Sequence, residues 1–278
     1  MPDANDPQRE HWRAVAAAWS EWWPLIESGA NPVTEAMMAM AAPVPGERVL
    51  DVACGIGEPA LTVAGLVAPS GHVVATDIAP EMIALGRERA AAAGIANVEF
   101  QATDTEQLDV PAAGFDLATS RWGLMFCADL DRALDAIHQA LRPDGRLVTA
   151  VWAAPEQVPM ISLSMRVLRE AWNLPPPEPD ERSPFELADT EAFARRLNDA
   201  GFRDVVARAV EVVMRFPSLD TYIQVQRDLS RIERQVGDLP AERRAAGWQA
   251  VRDAAVPFEE SDGQVVMRNQ AICLAARR

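Results

Sequence analysis

The chain has 278 residues, 49% of them hydrophobic and 24% charged, which is ordinary for a globular protein and long enough for one large domain or a domain with an appendage. Its net charge of −15 at pH 7 argues against a nucleic-acid groove or an anionic membrane surface, since both ask for positive patches. Cys54, Cys127 and Cys273 are scattered, with neither metal-ligand spacing nor a disulfide framework, so no metal site is expected and a reducing cytoplasm is the expected compartment.

Residues 1 to 10 are polar and acidic, unlike a signal or transit peptide, and no apolar run approaches the roughly 20 residues that span a bilayer. Residues 8 to 41 read as two helices. Trp12, Val15, Ala16, Trp19, Trp22 and Trp23 recur near helical spacing until Pro24 breaks the run, and a second helix from about Asn31 to Ala42 carries Met37, Met38 and Met40. Such a stripe packs against a core, or it forms a lid whose aromatic and Met face lines an apolar pocket.

From Gly46 the pattern alternates. Strands are expected at Arg48–Val52, His72–Thr76, Val98–Ala102, Phe115–Thr119 and Arg146–Trp152. Helices are expected at Pro59–Ala68, Pro80–Ala93 and Leu130–Leu141, with Gly94 and the turn Arg142-Pro143-Asp144-Gly145 ending the last two. Strands apolar on both faces, alternating with helices, predict a doubly wound α/β sheet. Further on come helices at about Met160–Ala171 and Asp189–Asp199, separated by a surface loop over Leu174–Pro184. A strand at Val205–Phe216, helical segments over about Leu219–Ala254 and a final strand at Gln264–Ala276 complete the chain. The domain reading is a helical cap over 1–42 and one domain over 43–278, with lid segments at 155–188 and 219–260.

Ligands of doubly wound sheets lie at the carboxyl ends of the strands. There the first strand runs through Asp51-Val52-Ala53-Cys54-Gly55-Ile56-Gly57 into a helix, and Asp77, Asp104 and Ser120 follow at the next three strand ends. Two glycines let a backbone approach a ligand closely. Taken alone, the loop and Asp77 fit a dinucleotide fingerprint. Asp51, however, would repel a pyrophosphate and attract an ammonium group, which favours S-adenosylmethionine over NAD. Asp77 can accept from two ribose hydroxyls, with Ile78 and Met82 near the adenine plane; Asp104 can accept from the adenine amino group and Thr105 donate a backbone N–H to the ring.

The chain resembles the class I S-adenosylmethionine-dependent methyltransferases, most nearly their ubiquinone/menaquinone-biosynthesis-like small-molecule branch. The residues that carry the resemblance are Val49 to Gly57, Val74 to Met82, Ala102 to Glu106, Phe115 to Leu117 and Leu141 to Leu147. It implies a seven-stranded sheet with an antiparallel last strand. It also implies that Asp51, Gly55 and Gly57 cradle the methionine end, that Asp77 holds the ribose and Asp104 and Thr105 the adenine, and that the Ser120 carbonyl meets the amino group. Ala53 stands where the family often has its first loop glycine, and Asp144 where a glycine is common.

For the methyl acceptor, a small apolar compound such as a quinone precursor, polyketide, terpenoid or lipid is expected, in an enclosed pocket lined by Trp19, Trp22, Trp122 and Met125. No base stands out: His72 sits at the wrong rim, His138 lies mid-helix, and His11 in the cap is a candidate. Arg121 either binds an acidic substrate group or pairs with a surface acid. Two other readings stay open, a bound S-adenosylmethionine whose methyl is retained and an NAD-dependent oxidoreductase. Neither a nucleic-acid partner nor membrane insertion is expected, and a homodimer stays open.

Overall fold

The computed structural model describes residues 5–176, 182–236 and 239–278. In chain order, α1 (Asp6–Ala41) precedes the alternating run β1 (Arg48–Val52), α2 (Ala60–Val67), β2 (His72–Asp77), α3 (Pro80–Ala92), β3 (Val98–Ala102), β4 (Phe115–Arg121), α4 (Leu130–Ala140) and β5 (Leu141–Trp152). Then follow α5 (Pro159–Trp172), α6 (Thr190–Asp199), β6 (Arg203–Phe216), α7 (Leu219–Leu229), α8 (Arg231–Gln235), α9 (Ala241–Ala255) and β7 (Val265–Arg277).

All seven strands form one sheet, ordered β3-β2-β1-β4-β5-β7-β6. β1 to β5 pair in parallel, and β7 runs antiparallel to both β5 and β6. β1 lies between β2 and β4, so the strand order reverses there and a crevice opens above its carboxyl end. The inner strands are buried on both faces: Val49, Leu50, Val52, Leu117, Ala118 and Val148 are wholly inaccessible. Helices therefore cover both sides, as the unbroken apolar runs predict.

Two local expectations change. The N-terminal region is one helix, not two, because α1 continues through Pro24 and Pro32. Each proline removes a hydrogen bond and crowds the preceding turn. Burial of Val15 and Ala16 before Pro24, and of Ile26, Ala30, Val33 and Met37 after it, holds the helix together across the break. Gly29 lets it approach β6: a Cβ there would lie 2.1 Å from Met214 Sδ and 3.1 Å from the Val213 carbonyl. The second change is at Arg142–Gly145, which lies within β5 as a bulge. Phe115 pairs with Leu141, but Leu117 already pairs with Arg146, and Asp144 takes the left-handed conformation (φ 63°) that the extra residues require. The expected surface loop over Leu174–Pro184 falls partly outside the described residues.

Candidate active site

The loop after β1 is built by backbone conformation. Ala53, Gly55 and Gly57 have φ of 52°, 54° and 109°. The Cys54 N–H donates to the Thr76 carbonyl (2.9 Å), and the Gly57 N–H to the Cys54 carbonyl (2.9 Å). A Cβ added at Gly55 would meet nothing within 4 Å, so the loop leaves open space beside its backbone. Ala53 occupies the left-handed region despite its methyl, at a cost of about 1 kcal/mol.

That methyl also dictates its neighbour. A Cβ at Gly123 would lie 2.4 Å from the Ala53 Cβ and 3.0 Å from Ser120 Oγ. Gly123→Ala is therefore expected to destabilise the protein by about 1–3 kcal/mol through overpacking. Adding Ala53→Gly should recover most of that loss in urea unfolding, since the methyl it would strike is gone. An equal loss in both backgrounds would refute the contact.

Three acids stand at successive strand ends, and each is held differently. Asp51 is fully buried, and Thr119 Oγ1 donates to its Oδ1 at 2.5 Å while Oδ2 has no partner among the described residues. Burial pushes its carboxyl up to about 7, the Thr119 hydroxyl opposing and the nearby Glu58 charge reinforcing the shift. Asp77 accepts from the Gly55 N–H (Oδ2, 2.9 Å) and the Ala79 N–H (Oδ1, 2.9 Å), tying the loop to the end of β2. Its carboxyl is pushed up to about 6 by burial, against the pull of those N–H groups. Asp104 caps the short turn Thr105–Gln107 through Oδ1 to the Glu106 N–H, while Oδ2 accepts from Asn5 Nδ2 (both 2.9 Å).

These strand ends open into one cavity of about 320 Å³. Of the residues expected around the cofactor, Ala53, Gly55, Asp77, Ile78, Met82, Asp104 and Thr105 line it. Asp51, Gly57 and Ser120 lie behind the rim, Asp51 and Ser120 with no exposure at all. The residues fit S-adenosylmethionine: a glycine loop with room beside its backbone, a buried carboxylate with an unpartnered oxygen behind it, and two further carboxylates with acceptor capacity to spare. A pyrophosphate would face three acids and no helix N-terminus free of them.

Trp19 and Trp122 line the cavity, as expected; Trp22 and Met125 do not. Trp22 turns its Nε1–H to Asp228 of α7 (2.9 Å), and Met125 is core. Trp122 adopts a left-handed backbone (φ 60°), uncommon for a bulky residue, and stacks on Trp152 with ring centres 4.2 Å apart. Arg121 reaches the cavity wall but is spoken for: its guanidinium forms a forked pair with Glu27 of α1 (2.8 and 3.3 Å) and donates to Thr34 Oγ1 (2.7 Å). Its partner is thus an acid of the same chain. Trp23, part of the aromatic stripe, also lines the cavity, and the guanidinium carbons of Arg121 and Arg89 sit 5.6 and 4.5 Å from its ring centre.

Of the three histidines only His11 lines the cavity. His72 opens β2 at the amino edge of the sheet, 3.9 Å from Glu99. His138 packs edge-on against Phe202 (5.1 Å), and burial lowers its pKa.

The other half of the cavity comes from α5 and α7, which lie within the expected lid segments 155–188 and 219–260, and from β6, which was expected only as a strand. α5 contributes Met160, Ile161, Ser164 and Met165; β6 contributes Met214 and Phe216; α7 contributes Val225, Gln226 and Leu229. The individual lining residues were not predicted, because the spacing of apolar residues does not tell a core face from a pocket wall.

A sheet of this order, with an antiparallel β7 and a glycine loop backed by acids at three strand ends, is the fold of the class I S-adenosylmethionine-dependent methyltransferases. The chain belongs to the methyltransferase-domain family, whose model matches residues 43–201. It is similar to the ubiquinone/menaquinone biosynthesis C-methyltransferase UbiE of Ectopseudomonas mendocina, 38% identical over 159 residues that make up 56% of this chain and 62% of the relative. The alignment thus spans less than two thirds of that relative. In fold the chain is similar to YcgJ of Bacillus subtilis (TM-score 0.59, 19% identity, 88% of this chain and 97% of that one). It is also similar to the cyclase SpnF (TM-score 0.57, 21% identity, 96% of each chain).

Proposed function

We propose that the chain methylates a small apolar acceptor, holding S-adenosylmethionine at the acidic rim and the acceptor in the half of the cavity built by α5, β6 and α7. The observation that carries this reading is that one cavity is lined by both sets of residues. When bound, S-adenosylmethionine supplies a methyl group on a sulfonium, which needs a nucleophile placed in line with the carbon–sulfur bond.

The residues of the chain do the placing. Asp77 would hold the ribose hydroxyls, Ile78 and Met82 the adenine face, and Asp104 and Thr105 its polar edge; Asp51, behind the loop, would favour the ammonium through its charge. No carboxylate or imidazole lines the α5–β6–α7 half among the described residues. The acceptor then brings its own nucleophile, and the rate comes from proximity, orientation and exclusion of water. An electron-rich ring carbon suits such a site, in keeping with the C-methyltransferase named above. Acceptor identity is this chain's own matter, however: Met214, Phe216, Val225, Gln226 and Leu229 all lie beyond the family match at residue 201. In this reading α1 and the segments 155–188 and 219–260 act as the cover.

The test is incubation with methyl-labelled S-adenosylmethionine and an apolar metabolite extract. Label should enter a small apolar product with S-adenosylhomocysteine formed in equal amount. Label found only in protein or RNA rejects the reading. Conversion of a metabolite without S-adenosylhomocysteine would instead favour use of the site with the methyl retained.

A further inference from the structure

Besides Ser230 and Arg231 just after α7, the half of the cavity built by α5, β6 and α7 holds two polar side chains that touch each other, Ser164 of α5 and Gln226 of α7. Ser164 is buried, and its hydroxyl lies 2.6 Å from Gln226 Oε1 and 3.2 Å from the Ile161 carbonyl. A hydroxyl has one hydrogen to give, and the shorter contact takes it. Gln226 Oε1 is satisfied there, which fixes the amide plane and leaves Nε2 on the other side. Nε2 carries two hydrogens and has no hydrogen-bond partner among the described residues.

The frame around the pair is firm. One helical turn before Gln226, the fully buried Tyr222 donates its hydroxyl to the Met160 carbonyl (3.4 Å), pinning α7 onto the start of α5. The surrounding wall of Met160, Ile161, Met165, Met214, Phe216 and Val225 offers no side-chain oxygen. A hydrocarbon that filled this half would strip water from Nε2 and give nothing back, and an amide so stranded is costly.

Accepting the reading of this half as the acceptor pocket, we infer that Gln226 is a specificity-determining residue and Ser164 its positioning residue. The preferred acceptor is an apolar compound with a carbonyl-type oxygen at the end that rests on α5 and α7. Gln226 Nε2 donates to that oxygen. The Ser164 hydroxyl keeps the amide from turning its own oxygen towards the ligand.

Equilibrium dialysis with two probes of one shape tests this: 2-acetylnaphthalene, which carries the oxygen, and 2-isopropenylnaphthalene, in which a CH2 replaces it. The protein should bind the ketone about tenfold more tightly, the size of one hydrogen bond made rather than left unmade. Gln226→Leu should bring the two dissociation constants within about twofold, weakening the ketone and improving the hydrocarbon. Ser164→Ala should narrow the preference without moving the hydrocarbon, a pattern that general loosening of the pocket does not produce. Hydrocarbon binding to Gln226→Leu reports an intact fold; if that variant binds neither probe, Gln226→Met replaces it with the same expectations. Equal binding of both probes to the unaltered protein, or a ketone preference that survives Gln226→Leu, overturns the inference and leaves the acceptor pocket standing. Failure of both probes to bind the unaltered protein overturns the pocket reading and the inference with it.

Discussion

Asp77→Asn is expected to weaken S-adenosylhomocysteine binding by about a hundredfold, because it removes a carboxylate that can accept from both ribose hydroxyls, and bonds to a charged acceptor contribute about 1.5–3 kcal/mol each. The same change disturbs the loop. Asp77 now receives the Gly55 N–H on one oxygen and the Ala79 N–H on the other. An asparagine can satisfy only one of them, so a stability loss of about 1–3 kcal/mol should accompany the loss of affinity.

pH supplies a second reading of the same carboxylates. Burial raises Asp77 to about 6 and Asp51 to about 7, both from an ordinary value of 3.8. Groups raised on folding favour the folded state fully below the unfolded value, and that contribution is lost as pH climbs through the folded values, here between about 4 and 7. A cofactor with an ammonium group and two ribose hydroxyls wants both carboxylates ionised, so its affinity should rise from pH 6 to pH 8 and its binding at pH 6 should release protons. Titration calorimetry in buffers of different ionisation enthalpy measures both effects, and Asp77→Asn should reduce the proton release. Unchanged affinity in the variant, or tighter binding at pH 6 than at pH 8, would remove Asp77 from the site.

Arg121→Met should cost about 3 kcal/mol of stability, the lower end of the range for breaking a buried ion pair from one side. The lower end applies because the Arg121 side chain is 3% exposed while that of Glu27 is 23% exposed, so water can relieve part of the stranded charge. The loss also removes the donor to Thr34 Oγ1 and one of the two guanidiniums near the Trp23 ring. Since Arg121 ends β4 and its partners lie on α1, the change should also loosen the cover over the rim and weaken S-adenosylhomocysteine binding. Replacing both partners, Arg121→Met with Glu27→Met, should recover most of the stability, because no lone charge is left behind. Urea unfolding of the two single variants and the double decides it. A double variant no more stable than Arg121→Met would mean that a stranded Glu27 charge is not what the single variant suffers from.

Most of the acidic rim was legible because it is written locally. Apolar runs of five or six residues, each followed by an acid or a glycine, set the strands and their carboxyl ends, and the order of those ends along the chain sets the rim. The departure at Ala53 was also visible, although its consequence, a neighbour kept to glycine at Gly123, was not. Trp22 does not line the cavity because helical spacing states that a face is apolar but not which neighbour covers it, and Met125, on the segment that leaves β4, is core instead.

The amino-acid sequence by itself thus determined the alternating architecture, the glycine loop and the acid at each of three strand ends, each carried by residues within a few positions of one another, while the antiparallel last strand came from the family resemblance. Tertiary structure alone decided that α1 runs unbroken through two prolines and that Asn5 reaches Asp104 across 99 positions. It also decided that Arg121 clasps Glu27 across 94, and that Ser164 fixes Gln226 across 62. Such pairs meet only after the sheet has set where each helix lies. Side-chain periodicity says which residues share a face, whereas packing chooses the face they meet, and the end of the cavity built by α5, β6 and α7 is made of meetings of that kind.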